Sequence, residues 1–414
     1  MQYGCIAQRL GHSFSPEIHA CLADYRYELR ELAPEAVGEF LQKKEFCGIN
    51  VTIPYKETVI PFLDAIDDAA REIGAVNTVV NRGGRLCGYN TDFYGMTRLV
   101  EKLGIDVRGK KVAVLGTGGT SRTARAVAAR LGAGEVLCVS RTARNGAIDY
   151  ETLLAAHSDV QILINTTPCG MYPHPDATAV KVSAFPALEG VVDAVYNPLR
   201  PQLVLDARAR GIPAEGGLYM LVAQAVRASE IFLDTAYPPD TVERVYSRLM
   251  AQKENLVLIG MPGSGKSTVG RLLAKTLERE VVDLDELIVR RAGKPISEIF
   301  AACGEAGFRR LETEVLLEEV AQRNSLVIAT GGGAILSDVN VNAMRRNGRL
   351  VFLDRPLEEL LPTEDRPLAS SADAIRQRYR ERYGRYCAVA DLKIEVKSDA
   401  AGVAETIEKE WQNA

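Results

Sequence analysis

Tryptophan occurs once, histidine four times and cysteine eight times in the 414 residues of this chain. No two cysteines form a C-x-x-C pair, so the pattern of a redox dithiol is missing, and the histidines show neither H-E-x-x-H nor any clustering, which argues against a zinc site. No apolar run approaches the roughly 20 residues that a membrane span needs, and the opening MQYGCIAQRLGHS lacks the basic-then-apolar pattern of a secretory signal. An excess of charge is missing too. Fifty Lys and Arg against 54 Asp and Glu leave −4, so no electrostatic pull toward nucleic acid or an anionic membrane surface is expected. There is no internal repeat and no low-complexity tract. What remains is an ordinary globular composition, 47% hydrophobic and 25% charged. The chain is long enough for roughly two to four folded units that need neither metals nor disulfides. Reduced thiols and a cytoplasmic location are the expectation.

Short apolar runs alternate with helix-like stretches almost throughout. VAVLG, EVLCVS, DVQILINTT and GVVDAVY stand in the first 200 residues, and LVLIGM, EVVDLDE, SLVIATGGG and RLVFLD follow after 250. Strands alternating with amphipathic helices imply βαβ units, parallel sheets and an α/β class. Two breaks divide the chain. A polar stretch at 104–111 precedes a strand and a Gly-rich turn, and YPPD at 237–240 precedes a helix-like segment that leads into a new strand.

Residues 256–268, LVLIGMPGSGKST, fit G-x-x-x-x-G-K-[ST] with Gly260, Gly265, Lys266 and Ser267, between an apolar strand and a helix. In this turn backbone N–H groups face the phosphates of a nucleoside triphosphate, and the helix N-terminus adds its dipole. Gly263, Ser264, Gly265 and Thr268 belong to the phosphate cradle, Lys266 supplies a point charge and Ser267 a ligand for Mg²⁺. A P-loop does not name the acceptor. Downstream stand Asp283 and Asp285 in EVVDLDE, expected on one side of an extended chain, then GEAGFRRLE with Arg309, the glycines 331–333, Arg366 in DRPL and Arg382 in RERYGRYCAVAD.

In this order the segment after 254 resembles shikimate kinase. The resemblance implies that Asp285 holds and orients the acceptor hydroxyl and that Asp283 sits toward the magnesium. Arg309 and Arg382 would grip the substrate carboxylate, Gly332 would contact the ring, and Arg366 would cover the ATP phosphates when a lid closes. The stretch between Arg366 and Arg382 is shorter than the family usually carries. A small carboxylated polyol does call for a cationic clamp, and paired Arg donors suit it.

Residues 111–126, KVAVLGTGGTSRTARA, again read strand, glycine turn, helix, with Gly116, Gly118 and Gly119 placed for a dinucleotide pyrophosphate. The next strand ends at Ser140 and is followed by Arg141, Thr142 and Arg144. An acidic residue there would suit the ribose hydroxyls of NAD; two arginines and hydroxyls suit a 2′-phosphate, so NADP(H) is the expected cofactor. The first lobe offers Ser13 and Ser15 in GHSFSPEIH, Thr52 and Lys56 in NVTIPYKE, Asn77 in GAVNTVV, Asp92 in GYNTDFYG and, later, Gln224 in GLYMLVAQA. Hydroxyl, amide, carboxylate and ammonium groups are the inventory for a polyhydroxylated ring.

Together these motifs resemble shikimate dehydrogenase over roughly residues 1–250. The resemblance implies that Ser13 and Ser15 bind the substrate carboxylate and that Thr52, Asn77, Asp92 and Gln224 bind ring hydroxyls. Lys56 and Asp92 would form the catalytic pair, and Thr166, Tyr196 and Gly217 would line the nicotinamide. It also implies a discontinuous first lobe, 1–103 with 215–250, around a Rossmann-type NADP-binding lobe, 104–214, with the P-loop kinase domain and its parallel sheet in 251–414. The implied activity is bifunctional: NADPH-dependent reduction of 3-dehydroshikimate to shikimate, then its phosphorylation by ATP with Mg²⁺ to shikimate 3-phosphate. Quinate with NAD, or one half kept only as a regulatory binding module, are the alternatives. Small-molecule substrates, and neither nucleic acid nor membrane, are the expected partners; a homo-oligomer stays open.

Overall fold

The computed structural model describes residues 1–11, 13–360 and 371–413, with side chains through 411. Two compact units divide the chain, Met1–Leu249 and Met250–Ala414. Among the described residues the strands form three sheets.

The first sheet of unit one runs Tyr27–Glu31, Tyr3–Ala7, Gly48–Val51, Thr78–Arg82, Arg85–Tyr89, Ala65–Ile66. It is mixed rather than parallel throughout: Thr78–Arg82 runs antiparallel to both of its neighbours. Its pairing with Arg85–Tyr89 is a hairpin closed by the two-residue turn Gly83-Gly84, with positive φ at both residues (60° and 90°). Gly48–Val51 and Tyr3–Ala7 are wholly buried, and the helix Leu218–Leu233 returns to pack on this lobe, Phe232 stacking on Tyr3.

The second sheet runs Ala214–Glu215, Gly190–Asp193, Ile162–Asn165, Lys111–Leu115, Glu135–Ser140, Ile148–Asp149, all parallel. Its inner strands are continuous apolar runs because helices cover both faces. Strand order reverses beside Lys111–Leu115, and ligands of such sheets sit in the crevice at that point, outside the carboxyl ends of the strands.

Unit two carries the order Glu280–Asp283, Leu326–Ala329, Asn255–Ile259, Gly348–Asp354, Leu392–Glu395, also all parallel. Apolar clusters on its two faces form the core. One of them is closed by Trp411 of the last helix, over which the Arg349 guanidinium lies 4.7 Å from the ring centroid. No helix among the described residues is long and apolar enough to cross a membrane.

Candidate active sites

Lys56 follows the strand Gly48–Val51, and its carbonyl is pinned by the Val76 N–H at 2.8 Å. Asp92 lies in the first turn of the helix Thr91–Lys102, which starts where it does because the Asn90 side chain accepts from Phe93 N (3.1 Å) and donates to Ala75 O (2.9 Å). These two anchors bring Lys56 Nζ to 2.6 Å from Asp92 Oδ2, with side-chain exposures of only 13% and 10%. Beside them Asn77 Oδ1 accepts the Thr91 N–H (2.7 Å), Asn77 Nδ2 donates to Thr91 Oγ1 (3.0 Å), and that hydroxyl stands 3.3 Å from Gln224 Oε1. Thr91 is therefore the joint between two expected site residues, and sequence reading passed over it as part of a capping motif. Ser13 Oγ accepts from Ser15 N at 3.3 Å. Phe14, between them, meets the ring of Tyr196 at 5.5 Å. Thr52 is fixed by its N–H to Ile6 O, 3.1 Å.

Across the cleft, Gly116 takes φ 116°, and a Cβ there would stand 2.7 Å from Thr166 Oγ1, so only glycine fits. Ser121 Oγ donates to Gly116 O at 2.6 Å, which explains why a hydroxyl serves at the third fingerprint position. Gly118 caps the helix Gly119–Arg130. Ser140 ends its strand with Oγ donating to Thr142 O. Arg141, Thr142 and Arg144 are exposed just beyond it, and among the described residues neither guanidinium has an ion-pair partner. Gly217 N donates to Val195 O at 2.8 Å and begins the helix that carries Gln224. The two lobes also touch through Arg122, whose guanidinium lies 3.0 Å from Glu57 Oε2.

One buried base underlies this lobe. His19 stands one helical turn after Ser15, stacks on Tyr27 (3.9 Å between centroids, 10°) and meets the Tyr25 hydroxyl with Nδ1. Burial pushes its pKa down to about 3. An unfolded histidine takes a proton near pH 6.5, whereas the folded one does so only near 3. Its contribution to stability is thus complete above about 6.5 and is lost as pH falls through that window. His19→Asn should flatten the acid limb of the stability–pH curve, read as the urea midpoint for loss of NADPH oxidation. Equal slopes in variant and wild type between pH 6.5 and 4.5 would remove His19 from the account.

In unit two the P-loop follows Asn255–Ile259 and runs into the helix Lys266–Thr276. Gly263 and Thr268 are exposed, and Ser264 is buried under the loop. Lys266 Nζ donates to Gly260 O (2.9 Å) and Met261 O (2.8 Å). Ser267 Oγ donates to Asp283 Oδ2 at 2.5 Å. The aspartates correct one expectation: they do not share one side of an extended chain. Asp283 ends its strand and caps the helix Leu284–Ala292, accepting from Asp285 N (3.0 Å) and Glu286 N (3.4 Å), so Asp285 stands in the first helical turn.

A Cβ on Gly331 would meet Asp285 Oδ1 and Glu312 Oε1, each at 2.8 Å, and one on Gly333 would strike the Arg309 guanidinium. The glycine turn is thus ringed by Asp285 and Arg309, two of the residues expected at the acceptor site, and by Glu312. Arg309 Nη1 donates to Glu312 Oε2 at 2.8 Å. Arg382 Nη1 donates to Gly332 O at 3.1 Å, and burial lowers its pKa. The Tyr386 hydroxyl reaches both Gly332 O and Gly260 O, tying the glycine turn to the P-loop. Glu312, fully buried with its carboxyl pKa raised by burial, and Tyr386 were both missed as site residues. Glu312 was visible only as the last letter of GEAGFRRLE. Arg366 and its lid lie outside the described residues. Ser267 and Asp283 offer a hydroxyl and a carboxylate side by side, a donor set that suits magnesium shared with phosphates and water.

Residues 262–412 match the family model described as shikimate kinase, and residues 5–79 match that of the shikimate dehydrogenase substrate binding domain. A shikimate dehydrogenase (NADP(+)) of Clostridium perfringens is 35% identical over 265 residues, covering 60% of this chain and 97% of that protein. The crystal structure of shikimate dehydrogenase 1 from Peptoclostridium difficile superposes with a TM-score of 0.56 at 34% identity, covering 60% of this chain and 98% of that one. The shikimate 5-dehydrogenase of Thermus thermophilus, solved with NADP(H) and shikimate, gives 0.54 at 29%, covering 60% and 99%.

Proposed function

The chain belongs to the shikimate dehydrogenase family and carries a shikimate kinase domain behind it, and from that premise we propose that it reduces 3-dehydroshikimate with NADPH and then phosphorylates the shikimate with ATP and Mg²⁺. One observation carries the reading: each unit gathers a polar constellation, Lys56–Asp92 beside Asn77–Thr91–Gln224 in the first and Asp285 with Arg309 and Arg382 around a glycine turn in the second.

In the first reaction the dinucleotide supplies the hydride. Ser13 and Ser15 bind the substrate carboxylate, and Thr52, Asn77 and Gln224 bind ring hydroxyls. Reduction of the ring carbonyl puts negative charge on its oxygen, and Lys56 stands to meet it as proton donor or as cation. Asp92 holds the ammonium in place and takes a further hydroxyl. Gly116, Gly118 and Gly119 leave room for the pyrophosphate, and Thr166, Tyr196 and Gly217 border the nicotinamide. Arg141 and Arg144, with Ser140 and Thr142, take the 2′-phosphate. Each charge-assisted hydrogen bond is worth about 1.5–3 kcal/mol, so Arg141→Ala/Arg144→Ala should raise the KM for NADPH by roughly ten-fold or more and leave that for NADH nearly unchanged. Equal losses on both cofactors would sink the 2′-phosphate assignment and reopen the reading as an NAD-dependent quinate enzyme.

In the second reaction ATP supplies the phosphoryl group. Arg309 and Arg382 clamp the carboxylate, Gly332 borders the ring, and Asp285 orients the acceptor hydroxyl and takes its proton. Residues 263–268 cradle the phosphates with Lys266, and Arg366 covers them. Ser267 and Asp283 would hold the magnesium, which supplies charge neutralisation. The residues 1–103 with 215–250, 104–214 and 251–414 then serve as substrate, NADP and kinase domains of a cytoplasmic enzyme.

One assay of the purified chain tests the whole. With 3-dehydroshikimate, NADPH, ATP and Mg²⁺, both NADPH loss and shikimate 3-phosphate should appear. NADPH loss without the phosphate ester would leave unit two as a binding module or a kinase for another acceptor.

A further inference from the structure

Beneath the residues that border the nicotinamide lies a carboxylate that the proposed chemistry does not use. Asp193 ends the strand Gly190–Asp193 and pairs in register with Asn165, the last residue of the neighbouring strand. Its side chain is fully buried. Oδ1 accepts from Asn165 Nδ2 and from Val195 N, each at 2.9 Å, while Oδ2 has no hydrogen-bond partner among the described residues.

The partners of Asp193 are themselves anchors. Asn165 Oδ1 accepts the Thr167 N–H (3.0 Å) and the Thr167 hydroxyl (2.7 Å), and Asn165 O accepts the Ala194 N–H (2.8 Å). Val195 O accepts the Gly217 N–H, also at 2.8 Å. The carboxyl group thus ties its own segment to that of Asn165 directly, and a third segment joins through the Val195 carbonyl. They are the segments that carry Thr166, Tyr196 and Gly217: the first follows Asn165, the second follows Val195, and the third bonds to Val195.

Burying a carboxyl with one oxygen unpaired costs free energy. Burial pushes its pKa up to about 7, so the neutral acid is accessible near neutral pH; the adjacent titratable group is the Cys169 thiol, itself raised. An apolar side chain would serve the core at less cost but could not accept two N–H donors from two different segments.

We propose that Asp193, with Asn165, is the positioning residue of the hydride-transfer step, fixing the three nicotinamide-bordering segments against one another and so setting the depth and tilt at which the ring is presented to the substrate carbonyl. This rests on the dehydrogenase reading above. A misplacement of about 1 Å costs on the order of 10²-fold in rate, and the loss falls on the chemical step rather than on cofactor affinity, which Arg141 and Arg144 supply from elsewhere.

The test uses the full chain with NADPH carrying deuterium at the transferring position. Asp193→Ala should lower kcat for reduction by about 10²-fold, change the KM for NADPH little, and raise the deuterium isotope effect on kcat. Asp193→Asn, which retains the acceptor and mimics the neutral acid, should recover most of both. Phosphorylation of shikimate by the same preparations normalises for the amount of chain, and the urea midpoint for loss of NADPH oxidation reports the fold of unit one. A loss of rate with a wild-type isotope effect marks a merely structural role and overturns the proposal, as does an Ala variant with wild-type kcat. Should Asp193→Ala fail to fold, Asn165→Ala is the second variant, and an unchanged isotope effect there overturns the proposal equally. A wild-type chain that leaves NADPH untouched would overturn the dehydrogenase reading first; an active wild type with an indifferent Asp193 overturns this inference alone.

Discussion

Lys56→Ala is expected to lower NADPH-dependent reduction of 3-dehydroshikimate by about 10²–10⁴-fold, the range for losing a positioned proton donor or cation, and to leave shikimate phosphorylation untouched. The size follows from burial. Lys56 and Asp92 are both nearly enclosed and stand 2.6 Å apart, in surroundings where charge on the reacting oxygen is poorly answered by water. Removing the ammonium also leaves the Asp92 carboxylate without its partner, which destabilises a buried site. The loss in rate therefore has to be separated from a loss of fold. Asp92→Asn with Lys56 intact serves that purpose: it keeps the cation while losing the charge that tethers it and that accepts a ring hydroxyl, so it should cost less than Lys56→Ala. The kinase activity of the same molecules normalises for the amount of chain, and the KM for NADPH of the remaining activity reports whether unit one keeps its fold. If Lys56→Ala retains a tenth or more of the wild-type reduction rate with full occupancy by substrate, Lys56 is not the group that meets the developing alkoxide.

Much of this site was legible because its residues sit inside local strings. Lys56 comes two residues after Pro54 in NVTIPYKE, and Asp92 comes inside a helix start, so chemistry and local structure are written together. Thr91 was passed over because N-T-D reads as a cap; the cap belongs to Asn90, which frees Thr91 to join Asn77 to Gln224. The parallel sheets were legible as uninterrupted apolar runs such as KVAVL and NLVLI. The hairpin of the first, mixed sheet was less so, because Gly83-Gly84 is flanked by arginines rather than by an alternating apolar pattern. Asp283 and Asp285 were placed by spacing alone, and capping overrode that spacing: a carboxylate next to free helical N–H groups is stabilised there. Asp193 and Asn165 were invisible for another reason. They lie 28 residues apart and meet only because two parallel strands pair in that register, and no string records such a meeting.

Lys266→Ala should abolish the second activity as cleanly as Lys56→Ala abolishes the first, by about 10³-fold, the scale of removing one preorganised charge from a developing anionic transition state. In the structure Lys266 Nζ is held against the loop by Gly260 O and Met261 O. Gly260 O keeps a second donor, the Tyr386 hydroxyl at 3.0 Å, which should hold the loop near its shape once the lysine is gone. Lost phosphorylation then reports lost charge rather than a collapsed loop. The chain carries its own control. Its single tryptophan, Trp411, is buried in unit two beneath the Arg349 guanidinium, so its emission during denaturant unfolding reads that unit and not the dehydrogenase. An unchanged Trp411 midpoint, undiminished NADPH oxidation and absent shikimate 3-phosphate together would assign the loss to the P-loop. A shifted midpoint would assign it to folding. Loss of NADPH oxidation beside an unshifted midpoint would overturn the independence of the two sites, because Lys266 belongs to the second unit and the Lys56–Asp92 pair to the first. An unshifted midpoint with phosphorylation still above a tenth of wild type would show that Lys266 does not neutralise the transferring phosphoryl group, and would move that role to Arg309, Arg382 or Arg366.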